Sequence, residues 1–142
     1  MDRVLLDTNI VIDYLSATRE RHDDAVLLLE GLFDSTRMEP CVLASSIKDA
    51  YYVMCRHYGT ERLVRMRLEG FCEVVDVADL DASCVRAAFS SPEPDLEDAI
   101  VGEAAAELGA LAIVTRDARA YASSSVPAMD AVEFRRRFAD AL

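Results

Sequence analysis

The sequence predicts an α/β protein whose parallel sheet is covered by helices on both faces. Three observations carry this. Short apolar runs alternate with longer helical patterns almost from end to end, the alternation of strand–helix–strand crossovers. One run, "LAIVT" at 111–115, is continuously apolar, as a strand buried on both faces is. At 142 residues, with no internal repeat or linker, the chain has the size of one domain, 1–142.

The elements follow in order. Val4 to Leu6 is a short strand, and a helix starts at Asn9 and runs to Leu15. "HDDAVLLLEGLF" at 22–33 is an apolar helix with an acidic first turn. "PCVLA" at 40–44 is strand-like, and Ser45 or Ser46 is placed to cap the helix through "IKDAYYVMCRHY", which Gly59 stops. Thr60 caps a helix through "ERLVRMRLEG" ended by Gly70, and the alternating, β-branched "FCEVVDV" at 71–77 reads as a strand. Helices follow at about 80–89 and 96–108, the second stopped by Gly109. After "LAIVT" and a polar loop, "VPAM" adds a short edge strand and "DAVEFRRRF" a closing helix.

Composition narrows the function. At 52% hydrophobic and 29% charged the chain is an ordinary globular one. No apolar run approaches the roughly 20 residues of a membrane span, and the N-terminus lacks a signal-peptide pattern, so a cytoplasmic protein is expected. The four cysteines stand singly, without metal-ligand spacing, and are expected reduced and buried. With 26 acids against 15 bases the net charge is −11. That argues against a broad basic surface for nucleic acid, because backbone affinity comes from neutralised phosphates. Either the acids solvate the surface, or some converge where cations balance them.

In parallel sheets ligands bind outside the carboxyl ends of the strands, so residues directly after strands come first. Asp7 ends the first strand, and Asp117 follows "LAIVT" after Thr115 and Arg116. Asp49 and Asp98 stand in the first turns of the helices after the second strand and before "LAIVT". Four carboxylates distant in sequence can therefore share one edge. Two unit charges about 4 Å apart repel by roughly 4 kcal/mol at an effective dielectric of 20, so such a cluster raises its pKa values or binds cations. Oxygen-only donors select Mg²⁺ or Mn²⁺. The common use of such an ion is to bind a phosphate oxygen and activate a water toward phosphorus.

The run "LLDTNIVIDYL", the "SSIKDAYYVM" helix, "DLEDAIVGEAAAELGA" and "AIVTRD", in this order and spacing, resemble the four signature blocks of the PIN domain. The likeness is nearest to the VapC-type toxins of toxin–antitoxin pairs. It implies a three-layer α/β/α fold with a central parallel sheet of four to five strands and a Mg²⁺- or Mn²⁺-dependent endoribonuclease that leaves 5′-phosphate and 3′-hydroxyl ends. It implies Asp7, Asp49, Asp98 and Asp117 as catalytic metal ligands. Homodimerisation and a small antitoxin partner are likewise what the family implies. One departure stands out: many PIN nucleases carry Glu where Asp49 is one methylene shorter. A chain whose metal site is weakened there would be a PIN-like domain that binds RNA or protein without cutting.

The bland alternatives are local. Asp7 could be only an N-cap, and Asp95 is the simplest cap of the helix that carries Asp98. Thr8, Asn9, Asp95 and Thr115 are expected behind the ligands, with Asn9 orienting Asp7 or a water. Asp13 is expected at the surface or behind the ligands, and Glu97 solvated and pointing elsewhere. Tyr51 and Tyr52 read as core or rim packing, and His22 and His57 are isolated. For gripping RNA the candidates are Arg56, Arg62 and Arg65 in "RHYGTERLVRMR", with Arg116 and Arg119 beside Asp117 and a further basic cluster at Arg135 to Arg137. A phospho-accepting receiver domain needs a late lysine, and the only lysine is Lys48. A DxD phosphatase is excluded by Asn9.

Overall fold

The structure, a computed structural model, describes residues 1–142. Five parallel strands stand in the order β3-β2-β1-β4-β5: β1 Asp2–Leu6, β2 Met38–Leu43, β3 Asp76–Ala78, β4 Ala112–Val114 and β5 Ala128–Met129. Seven α-helices connect and follow them: α1 Thr8–Leu15, α2 His22–Asp34, α3 Ala44–His57, α4 Glu61–Val74, α5 Ala82–Ala88, α6 Leu96–Glu107 and α7 Ala131–Arg137. A 3₁₀ turn, Ala118–Tyr121, bridges β4 and β5, and another, Ala139–Ala141, ends the chain. No helix is long and apolar enough to cross a membrane.

Two cores make the three layers. Successive strand residues point to opposite faces. Val4 and Leu6 accordingly join one cluster with α1, α2, α3, α4 and α7, whereas Leu5 joins the other with Cys41, Ile113 and the small residues Ala104 and Ala105 of α6. Phe134 of α7, fully buried in the first core, illustrates the energetics: truncation to Ala at such a site costs about 3–5 kcal/mol. The three-layer α/β/α fold expected from the sequence is the fold observed.

The departures are local. Gly70 does not end α4, which continues through Val74; Val64, Leu68 and Phe71 keep one helical face buried across the glycine, so packing outweighs a glycine penalty of about 1 kcal/mol. The strand predicted at 71–77 shrinks to Asp76–Ala78. Neither Ser45 nor Ser46 caps α3, which starts directly at Ala44 without a side-chain cap, and the helix ends at His57, before Gly59. Thr60 and Asp95 do cap their helices, through Leu63 N–H and Asp98 N–H. Gly109 follows α6 at φ +63°, the left-handed conformation that glycine adopts without the Cβ penalty. All four cysteines are free. Cys41 and Cys84 are buried, Cys55 and Cys72 only partly so, and burial pushes the Cys41 thiol up to about 12.

Candidate active site

The strand order reverses at β1, which pairs with β2 on one side and β4 on the other. That is where the carboxyl edge of a parallel sheet opens a crevice. The register places the first functional group. Leu6 pairs with Val114, and Asp7 N–H donates to the Val114 carbonyl at 2.9 Å, so the next residues, Asp7 and Thr115, come out side by side. The Thr115 hydroxyl donates to Asp7 Oδ2 at 2.9 Å. The Tyr121 hydroxyl donates to the same oxygen at 2.9 Å, and Thr8 N–H donates to Oδ1 at 2.8 Å. Three donors on two oxygens fix the orientation of the carboxylate.

The other walls come from neighbouring elements. A cleft of about 190 Å³ is lined by Asp7, Thr8, Ser45, Ser46, Asp49, Leu80, Glu97, Asp98, Tyr121 and two aliphatic residues of α6. Asp49 reaches it from α3, which starts directly after β2, and Asp98 from the first turn of α6. Asp117 follows β4; its N–H donates to Thr115 Oγ1 at 3.1 Å. The short turn that Asp117 precedes takes no side-chain cap, so its carboxylate is not consumed locally. It is not among the cleft-lining residues, yet it lies close enough to raise Asp98.

Electrostatics mark the same place. Burial, and then the charges of Asp95, Asp7, Glu97 and Asp117, push the Asp98 carboxyl up to about 6. Glu97 is raised by burial, Asp49, Asp95 and Asp7. Burial and Asp7 raise the Tyr121 hydroxyl far above its ordinary value, so it stays a donor. None of Asp7, Asp49, Asp95, Glu97, Asp98 or Asp117 forms an ion pair with an arginine or lysine, Lys48 included. Uncompensated carboxylates in one cleft, with oxygen as the only donor type, fit a hard divalent cation.

Several expected roles change. Asn9 does not orient Asp7: its side-chain oxygen accepts from Arg19 Nη2 at 3.3 Å. Asp13 is fully buried, held by Arg19 Nε at 2.7 Å and Arg116 Nε at 3.5 Å. Arg116, exposed at the surface, thus also lies against a buried acid. Arg56 contacts Tyr52, Arg65 pairs with Glu61, and Arg62 and Arg119 are exposed. Arg135 to Arg137 occupy the last turn of α7, where cations complement the helix dipole. Asp95 acts as a cap, its Oδ1 accepting from Asp98 N–H at 3.0 Å. Glu97, though exposed, faces the mouth of the cleft instead of pointing elsewhere.

Sequence reasoning missed Tyr121 and Glu97. The latter had a signal, a second acid in the same first helical turn as Asp98; Tyr121 had none beyond lying four residues after Asp117. A second cluster, Asp81, Cys84 and Glu107, is accounted for by capping: Asp81 Oδ1 accepts from Ser83 N–H, Cys84 N–H and the Ser83 hydroxyl. Glu107 also lies nine residues from Asp98 on α6, about 14 Å away along a helix rising 1.5 Å per residue.

With this geometry established, comparison identifies relatives. The chain is similar in fold to FitAcB from Neisseria gonorrhoeae (16% identity, TM-score 0.73, covering 91% of this chain and 98% of that one). It is also similar to VapC20 from Mycobacterium tuberculosis, described as a sarcin–ricin loop cleaving toxin (15%, 0.68, 84% and 93%), and to a toxin–antitoxin complex from Klebsiella pneumoniae (20%, 0.65, 90% and 97%). No curated protein matches the sequence. The family description that does match, over residues 3–119, is the PIN domain, and the chain belongs to that family.

Proposed function

We propose that this protein is a Mg²⁺- or Mn²⁺-dependent endoribonuclease and the toxin of a toxin–antitoxin pair, acting in the cytoplasm as a homodimer neutralised by a small antitoxin. The observation that carries the reading is the convergence of Asp7, Asp49, Asp98 and Asp117 at one sheet edge with no cation among their partners. The nuclease and toxin–antitoxin parts draw support from family membership and from relatives described as a cleaving toxin and a toxin–antitoxin complex.

Asp7, Asp98 and Asp117 would hold the ion, with Asp49 reaching it directly or through a water. A divalent ion bound there supplies positive charge against phosphate oxygens and lowers the pKa of an attacking water. The chain does the rest. Thr115, Tyr121 and Thr8 N–H hold Asp7 in one orientation. Asp98, near 6, is largely deprotonated at neutral pH and loses its ligand form in acid. Neither histidine nor Lys48 lines the cleft, and His22 lies 2.8 Å from the Asp13 carbonyl.

The test is incubation of purified protein with an RNA pool in Mg²⁺, Mn²⁺ or EDTA, with both product ends mapped. Metal-dependent cleavage leaving 5′-phosphates, lost in Asp7→Asn and Asp98→Asn, is the expected result. Metal binding without cleavage would favour the weakened, binding-only PIN domain, and absence of both would overturn the proposal.

A further inference from the structure

Asp13 lies on the buried side of α1, its carboxylate 1% exposed. Its Oδ1 accepts from Arg19 Nε at 2.7 Å, and Arg19 also reaches Asn9 and the Tyr58 hydroxyl. Its Oδ2 accepts no hydrogen bond and faces Arg116 Nε at 3.5 Å. Buried ion pairs add little to stability, because desolvation offsets the attraction and apolar replacements are often as stable. The acid therefore calls for another use. Ligand binding is not that use: the cavity beside it, walled by Asp13, Arg21, Asp24, Arg116 and Asp130, measures about 10 Å³, room for one water at most.

What Asp13 does join is two walls of the acidic cleft. Asp7 caps α1, and Asp13 follows on the same helix, about 9 Å further along at a rise of 1.5 Å per residue. Arg116 stands between Thr115, whose hydroxyl donates to Asp7, and Asp117. Thr115 N–H donates to the Met129 carbonyl, which ties it to the sheet. Beyond that bond the chain leaves the sheet, and Asp117 N–H is held only by Thr115 Oγ1. The Asp117 carboxylate caps nothing, so its place follows the backbone through 115–117. The ion pair of Asp13 and Arg116 fastens that backbone to the helix that Asp7 begins.

Resting on the metal-site reading, we propose that Arg116 is a positioning residue: anchored by Asp13, it holds residues 115–117 so that the Asp117 carboxylate meets the same ion as Asp7. The sign of the effect separates this from plain electrostatics. A cation near the cleft opposes a bound divalent ion, so its removal alone would tighten metal binding.

The experiment is calorimetric Mn²⁺ titration at pH 7 of the parent, Arg116→Met, Asp13→Asn and the double variant, with amide hydrogen exchange of residues 115–121 in EDTA. Arg116→Met should weaken Mn²⁺ binding about tenfold or more, the scale for a group that orients a ligand. The double variant should bind no more weakly than the weaker single one, since the two side chains act as one unit. Exchange at 115–121 should quicken without metal, while Tm falls by about 4 °C or less. Arg116→Met leaves Asp13 its bond to Arg19 and carries the test if Asp13→Asn does not fold. Unchanged or tighter Mn²⁺ binding in Arg116→Met, unchanged exchange, or losses that multiply in the double variant overturn the proposal. So does weaker RNA binding in EDTA with Mn²⁺ affinity intact, which would assign Arg116 to the substrate. A parent that binds Mn²⁺ and is indifferent to Arg116→Met refutes this inference alone; a parent that binds no Mn²⁺ refutes the metal-site reading with it.

Discussion

Replacing Asp98 with Asn should stabilise the protein at neutral pH in the absence of metal. The Asp98 carboxyl is raised from its ordinary value near 3.8 to about 6 by burial and by Asp95, Asp7, Glu97 and Asp117. Between those values the folded chain holds a proton that the unfolded chain has released, so stability falls as pH rises from about 4 to about 6 and is level above. At 1.36 kcal/mol per pH unit the full loss is about 3 kcal/mol, and solvent in the open cleft reduces it to about 2 kcal/mol. Asp98→Asn mimics the protonated acid and removes the loss. Urea unfolding followed by circular dichroism in EDTA should show the variant more stable than the parent by about 2 kcal/mol at pH 7, or about 6 °C in Tm for a chain this long. The gap should close toward pH 4.5. Mn²⁺ should reverse it at pH 7, since a ligand at 100 times its Kd stabilises the parent by about 2.7 kcal/mol. A variant no more stable than the parent at pH 7, or equally more stable at both pH values, would refute the reasoning.

Two other outcomes follow from the hydrogen bonds. Tyr121→Phe keeps the buried ring but removes one donor from Asp7 Oδ2, so calorimetry should show Mn²⁺ affinity reduced about tenfold, and an unchanged Kd would deny Tyr121 its orienting part. Arg19→Met leaves Asp13, fully buried, with only Arg116 at 3.5 Å; thermal unfolding should register a loss of about 3 kcal/mol. Adding Asp13→Leu to it should recover most of that loss, whereas additive losses would show that the pair is not coupled.

Much of the site was legible because register and element order are local properties. Once "VLL" and "IVT" are neighbouring parallel strands, Asp7 and Thr115 must emerge together. Asp49 and Asp98 follow from helices that begin beside that edge. What could not be read depended on side chains that travel. Arg116 sits between Thr115 and Asp117, yet it turns to Asp13 on α1. Asn9 adjoins Asp7 in sequence but faces Arg19. Tyr121 reaches back from a 3₁₀ turn, a geometry that leaves no periodic signal. Gly70 looked like a helix end because glycine usually weakens one, but the burial of Phe71 one residue later carried α4 onward and shortened the strand behind it. The tyrosines of α3, read as core and rim packing, both lie at the surface, with Arg56 over the Tyr52 ring; helical spacing gives a face, and only the fold shows how far it is covered.

The most direct test of the central claim is a Mn²⁺ titration by isothermal calorimetry at pH 7 and pH 5, with Asp7→Asn as control. An acidic cleft built for a hard cation predicts saturable binding at pH 7. Binding should weaken at pH 5, where Asp98 is largely protonated, and be lost in Asp7→Asn. No saturable heat at pH 7, or identical binding by parent and Asp7→Asn, would contradict it.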